Sequence, residues 1–282
     1  MRSLTLFFVL FYGTMYAQYN GDTWKQVSKA GKGTIALAYV QTPSFVYVGN
    51  SGKLDGICID IINDFVIWLK EEKKVDVQPK FVGDGSSFRD MYDKVKVSKG
   101  GVFGLGNITI TDERKKEVKF TTPFITNFAI LITQSKIGTL NKLEDLSKTF
   151  AGLTAYAAKG TLNEKRIQDL KAKYYPDMKI EYTTTSQETL EKVFNDPKGF
   201  AYLDLAFYLE AVQLKKSIKR HPVADKAAEQ FGIIMPLNSD WAPVFEEFVK
   251  SDGDYFNSAK YKSILVKHLG EAGMKLMQSA SK

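Results

Sequence analysis

The chain has 282 residues, 44% of them hydrophobic and 25% charged, with a formal net charge of +7 and a single cysteine. That apolar fraction supports one large core or two smaller ones, and a lone cysteine excludes a disulfide framework within the chain. The basic excess is mixed with acids, as in Lys70-Glu71-Glu72-Lys73-Lys74 and Asp112-Glu113-Arg114-Lys115-Lys116-Glu117, which is the pattern of solvated faces and argues against nucleic-acid binding.

Arg2, the apolar stretch 4–12 and Met15-Tyr16-Ala17 before Gln18 read as a cleavable signal peptide over 1–17. The mature chain is therefore expected to be exported, soluble and periplasmic, with no later stretch near the ~20 apolar residues of a membrane span. Alternation predicts a strand at 34–39, Asn50-Ser51-Gly52 a turn, and Ile57, Ile61, Ile62, Phe65, Trp68 and Leu69 share one face of a helix. Cys58 lies in that apolar stretch and reads as a buried, inert thiol. Strands at 75–81 and 102–110 bracket a helix at 87–95. After Pro123-Phe124 the plan repeats, with strands at 128–133 and 151–155, a helix from Thr161 to 173, a strand at 179–183 and a helix at 186–194 capped by Ser186. A strand at 199–203 leads into an apolar helix at 205–214, and a last strand at 231–235 precedes helices at 240–249 and 257–269. The fold class is α/β, because strands that alternate with helices build mostly parallel sheets covered on both faces. Two such units without a linker predict two lobes joined by crossing strands, with a ligand cleft between them.

The segment 104–114 carries the chemistry. An apolar strand runs to Thr109, and Thr111 then caps a helical turn that holds Arg114. A hydroxyl, free helix amides and a guanidinium at one strand end are what a carboxylate needs: a planar fork plus neutral donors. The same spacing equally describes an ordinary helix start with Arg114 solvated or paired to Glu117. His221 and His268 stand apart and form no metal set, there is no phosphate loop or nucleophile elbow, and no metal or other cofactor is expected.

Gly104-Leu105-Gly106-Asn107-Ile108-Thr109-Ile110-Thr111-Asp112-Glu113-Arg114, followed by Phe120-Thr121-Thr122-Pro123-Phe124, resembles the signature of the periplasmic amino-acid-binding proteins of ABC transporters. Gly52-Lys53-Leu54-Asp55-Gly56 through Asp60, Ala158-Lys159-Gly160-Thr161 and Asp204 resemble further segments of that family in the same order. The resemblance covers 34–270. It implies the type II periplasmic binding fold, with two mixed sheets flanked by helices and joined by two hinge crossings. Lobe 1 would comprise 18–126 and 231–282, and lobe 2 would comprise 127–230. It further implies that Thr109 and Arg114 bind a ligand carboxylate, that the Asn107 carbonyl accepts its ammonium, that Thr161 and the Leu162 amide close over the carboxylate, and that Asp204 pairs with the ammonium. Asn107 departs from the usual Gly or Pro, and Thr42 and a position near Gly85 replace the usual stacking aromatics, so Tyr39 and Phe45 are expected either to line the pocket or to sit in the core. The implied partners are a small zwitterionic ligand such as an amino acid and a transporter permease, with the receptor monomeric. Two alternatives share the cleft: an exported cyclohexadienyl dehydratase-like enzyme, for which no proton donor is assignable, and a receptor that signals to a membrane protein.

Overall fold

Two sheets organise the described residues, 18–280, of the computed structural model. The expected signal segment lies outside them. The first sheet runs in the order Asp76–Val82, Lys32–Tyr39, Val102–Leu105, Ile234–Pro236, Val118–Phe120. Its first three strands are parallel, and Ile234–Pro236 is antiparallel to both its neighbours. In the second sheet Lys179–Thr183, Thr154–Ala158 and Gly199–Asp204 are parallel. The long strand Ile125–Gln134 runs antiparallel beside Gly199–Asp204, and its other edge pairs with Ile218–Arg220 and then Lys226–Phe231. The central strands are buried on both faces, which is why they read as unbroken apolar runs and not as alternation.

The chain passes between the sheets twice, at 121–124 and at 232–233, and the two passages are bonded to each other. Thr121 N donates to Ile233 O at 2.9 Å, and Phe124 N donates to Phe231 O at 3.0 Å. Ile233 N returns a bond to Thr121 Oγ1 at 3.1 Å. These crossings explain two departures from the expected strands. The stretch expected as one strand at 231–235 divides, Phe231 ending a strand of the second sheet, 232–233 crossing, and Ile234 and Met235 joining the first. The strand expected at 102–110 stops at Leu105, because Gly106 adopts φ 152° and a Cβ there would lie 2.5 Å from Val40 Cγ1. Residues 108–110 then bond to the second crossing, with Ile110 N donating to Gln230 O and Gly232 N to Ile108 O.

Local side-chain caps start several of the helices. Thr185, not the expected Ser186, caps Ser186–Asn195, its Oγ1 accepting from Glu188 N at 2.9 Å. The strand expected at 151–155 begins only at Thr154, after a turn at 151–152. A helix at Trp24–Ala30, absent from the expected elements, starts with a capping box between Thr23 and Gln26.

Beside the first sheet, Phe65 is the centre of an aromatic cluster, with ring centroids 5.0 Å from Phe245, 5.5 Å from Phe248 and 6.1 Å from Trp241. Beside the second, Phe150 meets Phe200 at 4.9 Å and His221 at 5.0 Å. His221 is fully buried: its Nδ1 accepts from Leu140 N at 3.0 Å, and Nε2 faces Thr133 Oγ1 at 2.8 Å. Burial lowers its pKa to about 4, so it is a neutral structural residue. Cys58 is buried beside Gly106 O, and burial raises its thiol pKa to about 12, which leaves it protonated and unreactive.

Candidate functional site

The strand Val102–Leu105 of the first sheet and the strand Gly199–Asp204 of the second point their carboxyl ends at a common cavity beside the crossings. Asn107, Thr109, Arg114, Thr161, Leu162 and Asp204 all line it. Phe88, Asn163, Arg166, Thr184–Ser186 and Phe207 complete the wall with Val40, Gln41, Thr42 and Ala158.

Arg114 is positioned from its own segment. Thr111 Oγ1 accepts from Arg114 N at 3.2 Å and starts the short helix Asp112–Lys115. The guanidinium folds back so that Nη1 donates to Thr109 O at 2.9 Å. Its face lies over Phe88 and Tyr92, with Cζ 4.9 and 5.7 Å from the ring centroids. Burial pulls its pKa below the usual guanidinium value, though an arginine at physiological pH stays charged. Glu117 is taken by Lys96 and by Tyr92 Oη, so it is not the partner of Arg114. Thr111 is thus a helix cap, and Arg114 lines the cavity without pairing to Glu117.

Asp204 stands at the N-cap of the helix Leu205–Gln213 but makes no capping bond. Asn127 substitutes for it, its Oδ1 accepting from Leu205 N at 3.3 Å. The Asp204 carboxylate is thereby turned to the cavity, where Oδ1 accepts from Asn163 Nδ2 at 3.3 Å and Oδ2 accepts from Asn107 Nδ2. Burial raises its pKa, while the charge of Arg166 and the amide hydrogen bonds act to lower it.

Arg166 was not foreseen. It projects from the helix Leu162–Tyr174, donates from Nη1 to Asn163 Oδ1 and forms an ion pair with Glu229. Asn163 is therefore oriented with its oxygen toward Arg166 and its nitrogen toward Asp204. At the start of the same helix, Thr161 Oγ1 donates to Ala158 O at 2.8 Å and accepts from Glu164 N at 3.2 Å. Glu164 in turn accepts from Gly160 N at 2.7 Å. The Leu162 and Asn163 amides open this helix without i−4 partners in it, and both residues line the cavity, where a helix N-terminus favours an anion.

Tyr39 and Phe45 lie outside the cavity. Tyr39 packs edge-on to Phe81 at 6.0 Å and against Gly85, where a Cβ would come 2.3 Å from the Tyr39 ring. Phe45 is 2% exposed, wedged between Phe231 at 5.5 Å and Phe124 at 6.1 Å, next to the crossings. Both are packing residues, held by contacts with segments distant in the sequence.

The cavity itself holds only about 40 Å³, room for a few water molecules. It adjoins a wider compartment of about 350 Å³ that shares Gln41, Thr42 and Thr185 and adds Tyr47, Asp84, Ser86, Gln187 and Glu210. No lysine or arginine lines that second compartment. Burial raises the pKa of Glu210 there. One end of the cleft thus carries two guanidinium groups, and the other carries only acids and neutral groups.

Two α/β sheets linked by a pair of mutually bonded crossings, with a charged cavity between the strand ends, define a two-lobed type II periplasmic binding protein. Residues 35–270 match the bacterial extracellular solute-binding proteins, family 3, and the chain belongs to that family. Among its relatives, the ABC transporter arginine-binding protein 1 of Escherichia coli (strain K12) is 25% identical over 230 residues, 76% of this chain and 83% of the relative. The solved arginine-, lysine-, histidine-binding protein of Geobacillus stearothermophilus superposes with a TM-score of 0.67 at 20% identity, covering 84% of this chain and 96% of that one. A substrate-binding protein of an ABC uptake transporter from Streptococcus pneumoniae with bound histidine has a TM-score of 0.69 at 18% identity, covering 89% and 97%. These relatives are named as binding proteins, and among the described residues no helix is long and apolar enough to cross a membrane.

Proposed function

We propose that the chain is a monomeric periplasmic receptor, exported by the 1–17 signal, that captures an amino acid between its lobes and presents it to an ABC transporter permease. The lobes in this reading are 18–126 with 231–282, and 127–230. The observation that carries it is the meeting in the wall of one cavity of Arg114, on the helix after a first-sheet strand, and Asp204, at the end of a second-sheet strand. The Arg114 fork, Thr109 and the amides of the helix after Thr161 take the ligand's carboxylate, and Asp204 takes its ammonium. Opposite charges on opposite lobes make binding and closure one event. The ligand's side chain extends into the second compartment, where Asp84, Glu210 and Tyr47 accept a polar or cationic end in preference to an acidic one. A thermal-shift panel of amino acids and small organic acids tests the proposal, since a ligand at 100 times its Kd stabilises by about 2.7 kcal/mol. A shift with one or a few amino acids is the expected result. Turnover of prephenate, or stabilisation by amine-free acids alone, would overturn it.

A further inference from the structure

We infer that the Asn107 side chain is a built-in substitute for the ligand's ammonium, competing for Asp204 and so setting both the affinity for amine-bearing ligands and the closure of the empty cleft. This inference rests on the receptor reading above.

Asn107 follows the first-sheet strand and Asp204 ends a second-sheet strand, yet Asn107 Nδ2 donates directly to Asp204 Oδ2. The amide is not free to turn around. Thr42 Oγ1 lies 2.9 Å from Asn107 Oδ1, and a hydroxyl donating to the oxygen fixes the NH₂ end toward Asp204. The other carboxylate oxygen is held by Asn163, whose own oxygen is held by Arg166. Each oxygen of Asp204 thus already accepts from a primary amide, one from each side of the cleft. With only about 40 Å³ left in the cavity, an ammonium reaches Oδ2 by taking the place of the Asn107 amide.

The exchange has a definite direction. An ammonium–carboxylate bond is charged on both sides and roughly twice as strong as one with a neutral donor, so an amino acid displaces the amide. Its net gain is nevertheless only the difference between the two bonds. A ligand without an amine leaves the clasp in place and gains nothing from Asp204.

The test uses the mature chain and two variants, Asn107→Ala and Asn107→Gly, the second retaining the freest backbone. Calorimetry with L-arginine against 5-guanidinovalerate, and L-glutamine against glutaramate, reads the competition. Small-angle scattering of the ligand-free proteins reads the closure. Both variants are expected to bind the amino acids about tenfold more tightly, the scale of one hydrogen bond to a charged group, with no gain for the amine-free acids. The radius of gyration of the empty variants is expected to rise. Weaker amino-acid binding in both variants, or equal gains for the amine-free acids, would overturn the competition. If no amino acid binds the unsubstituted chain or either variant, the receptor reading fails instead, and an unchanged radius of gyration then overturns the clasp as well.

Discussion

Arg114 and Asp204 face the same cavity, but their side chains stand in opposite conditions. Arg114 spends a single side-chain hydrogen bond on the chain, to Thr109 O, and rests its flat face on two aromatic rings. Its remaining donors have no hydrogen-bond acceptor among the described residues. Asp204 has both oxygens engaged by amides and Arg166 close by. One end is oriented and open to a partner, while the other must exchange a partner it already has. Placing a charged residue in a cleft therefore says little about its contribution until its internal bonds are counted.

The largest effect that sharpens this contrast is expected from Arg114→Ala. It leaves the bound carboxylate desolvated and unpaired, a loss of typically 2–5 kcal/mol, or about 30-fold to several thousand-fold in Kd by calorimetry. Folding should be little altered, since the side chain makes one internal hydrogen bond, and an unchanged Kd would remove Arg114 from the site. Asp204→Asn is expected to act second, and selectively. It keeps the shape and the amide contacts but removes the charge, so amine-bearing ligands should weaken by roughly 10- to 100-fold, the range of a charge-assisted hydrogen bond. Equal losses for amine-free acids would erase the distinction between the two ends. Thr161→Ala is expected to be smallest. Its hydroxyl is already committed to Ala158 O and Glu164 N, so loss of the cap should cost about 1 kcal/mol of stability in denaturant unfolding and change Kd only a few-fold. A large loss of affinity without loss of stability would show that this hydroxyl serves the ligand directly.

Much of the scaffold was legible in the sequence for reasons that are local. The helix Ile57–Glu72 carries its apolar stripe, the cap at Thr111 sits where the strand chemistry stops, and the second α/β unit repeats the first. The failures fall where the answer depends on a distant segment. Nothing between 102 and 110 says that Gly106 turns the chain and that the next residues pair with the second crossing. Tyr39 and Phe45 are aromatics near a cleft, and only contacts with distant segments, Phe81 and Gly85 for the one and Phe124 and Phe231 for the other, decide that they pack elsewhere. Arg166 and Asn163 were missed for a different reason. They lie on the buried face of a helix beside Ile167 and Leu170, and a buried Asn at that position was the available signal of a polar network. The direction of that network, toward Asp204 on one side and Glu229 on the other, exists only in three dimensions.

The tryptophan cluster gives the molecule an uneven optical character. All three indoles, Trp24, Trp68 and Trp241, sit in or against the core centred on Phe65, tied by Trp241 Nε1 to Asp22 O at 2.8 Å and by the Trp24 and Lys25 amides to Asp240. None borders either compartment of the cleft. Intrinsic emission is consequently a gauge of melting around the first sheet, set apart from the ligand itself, so a colour change during titration would report motion carried through the protein frame and not a molecule quenching a ring it touches.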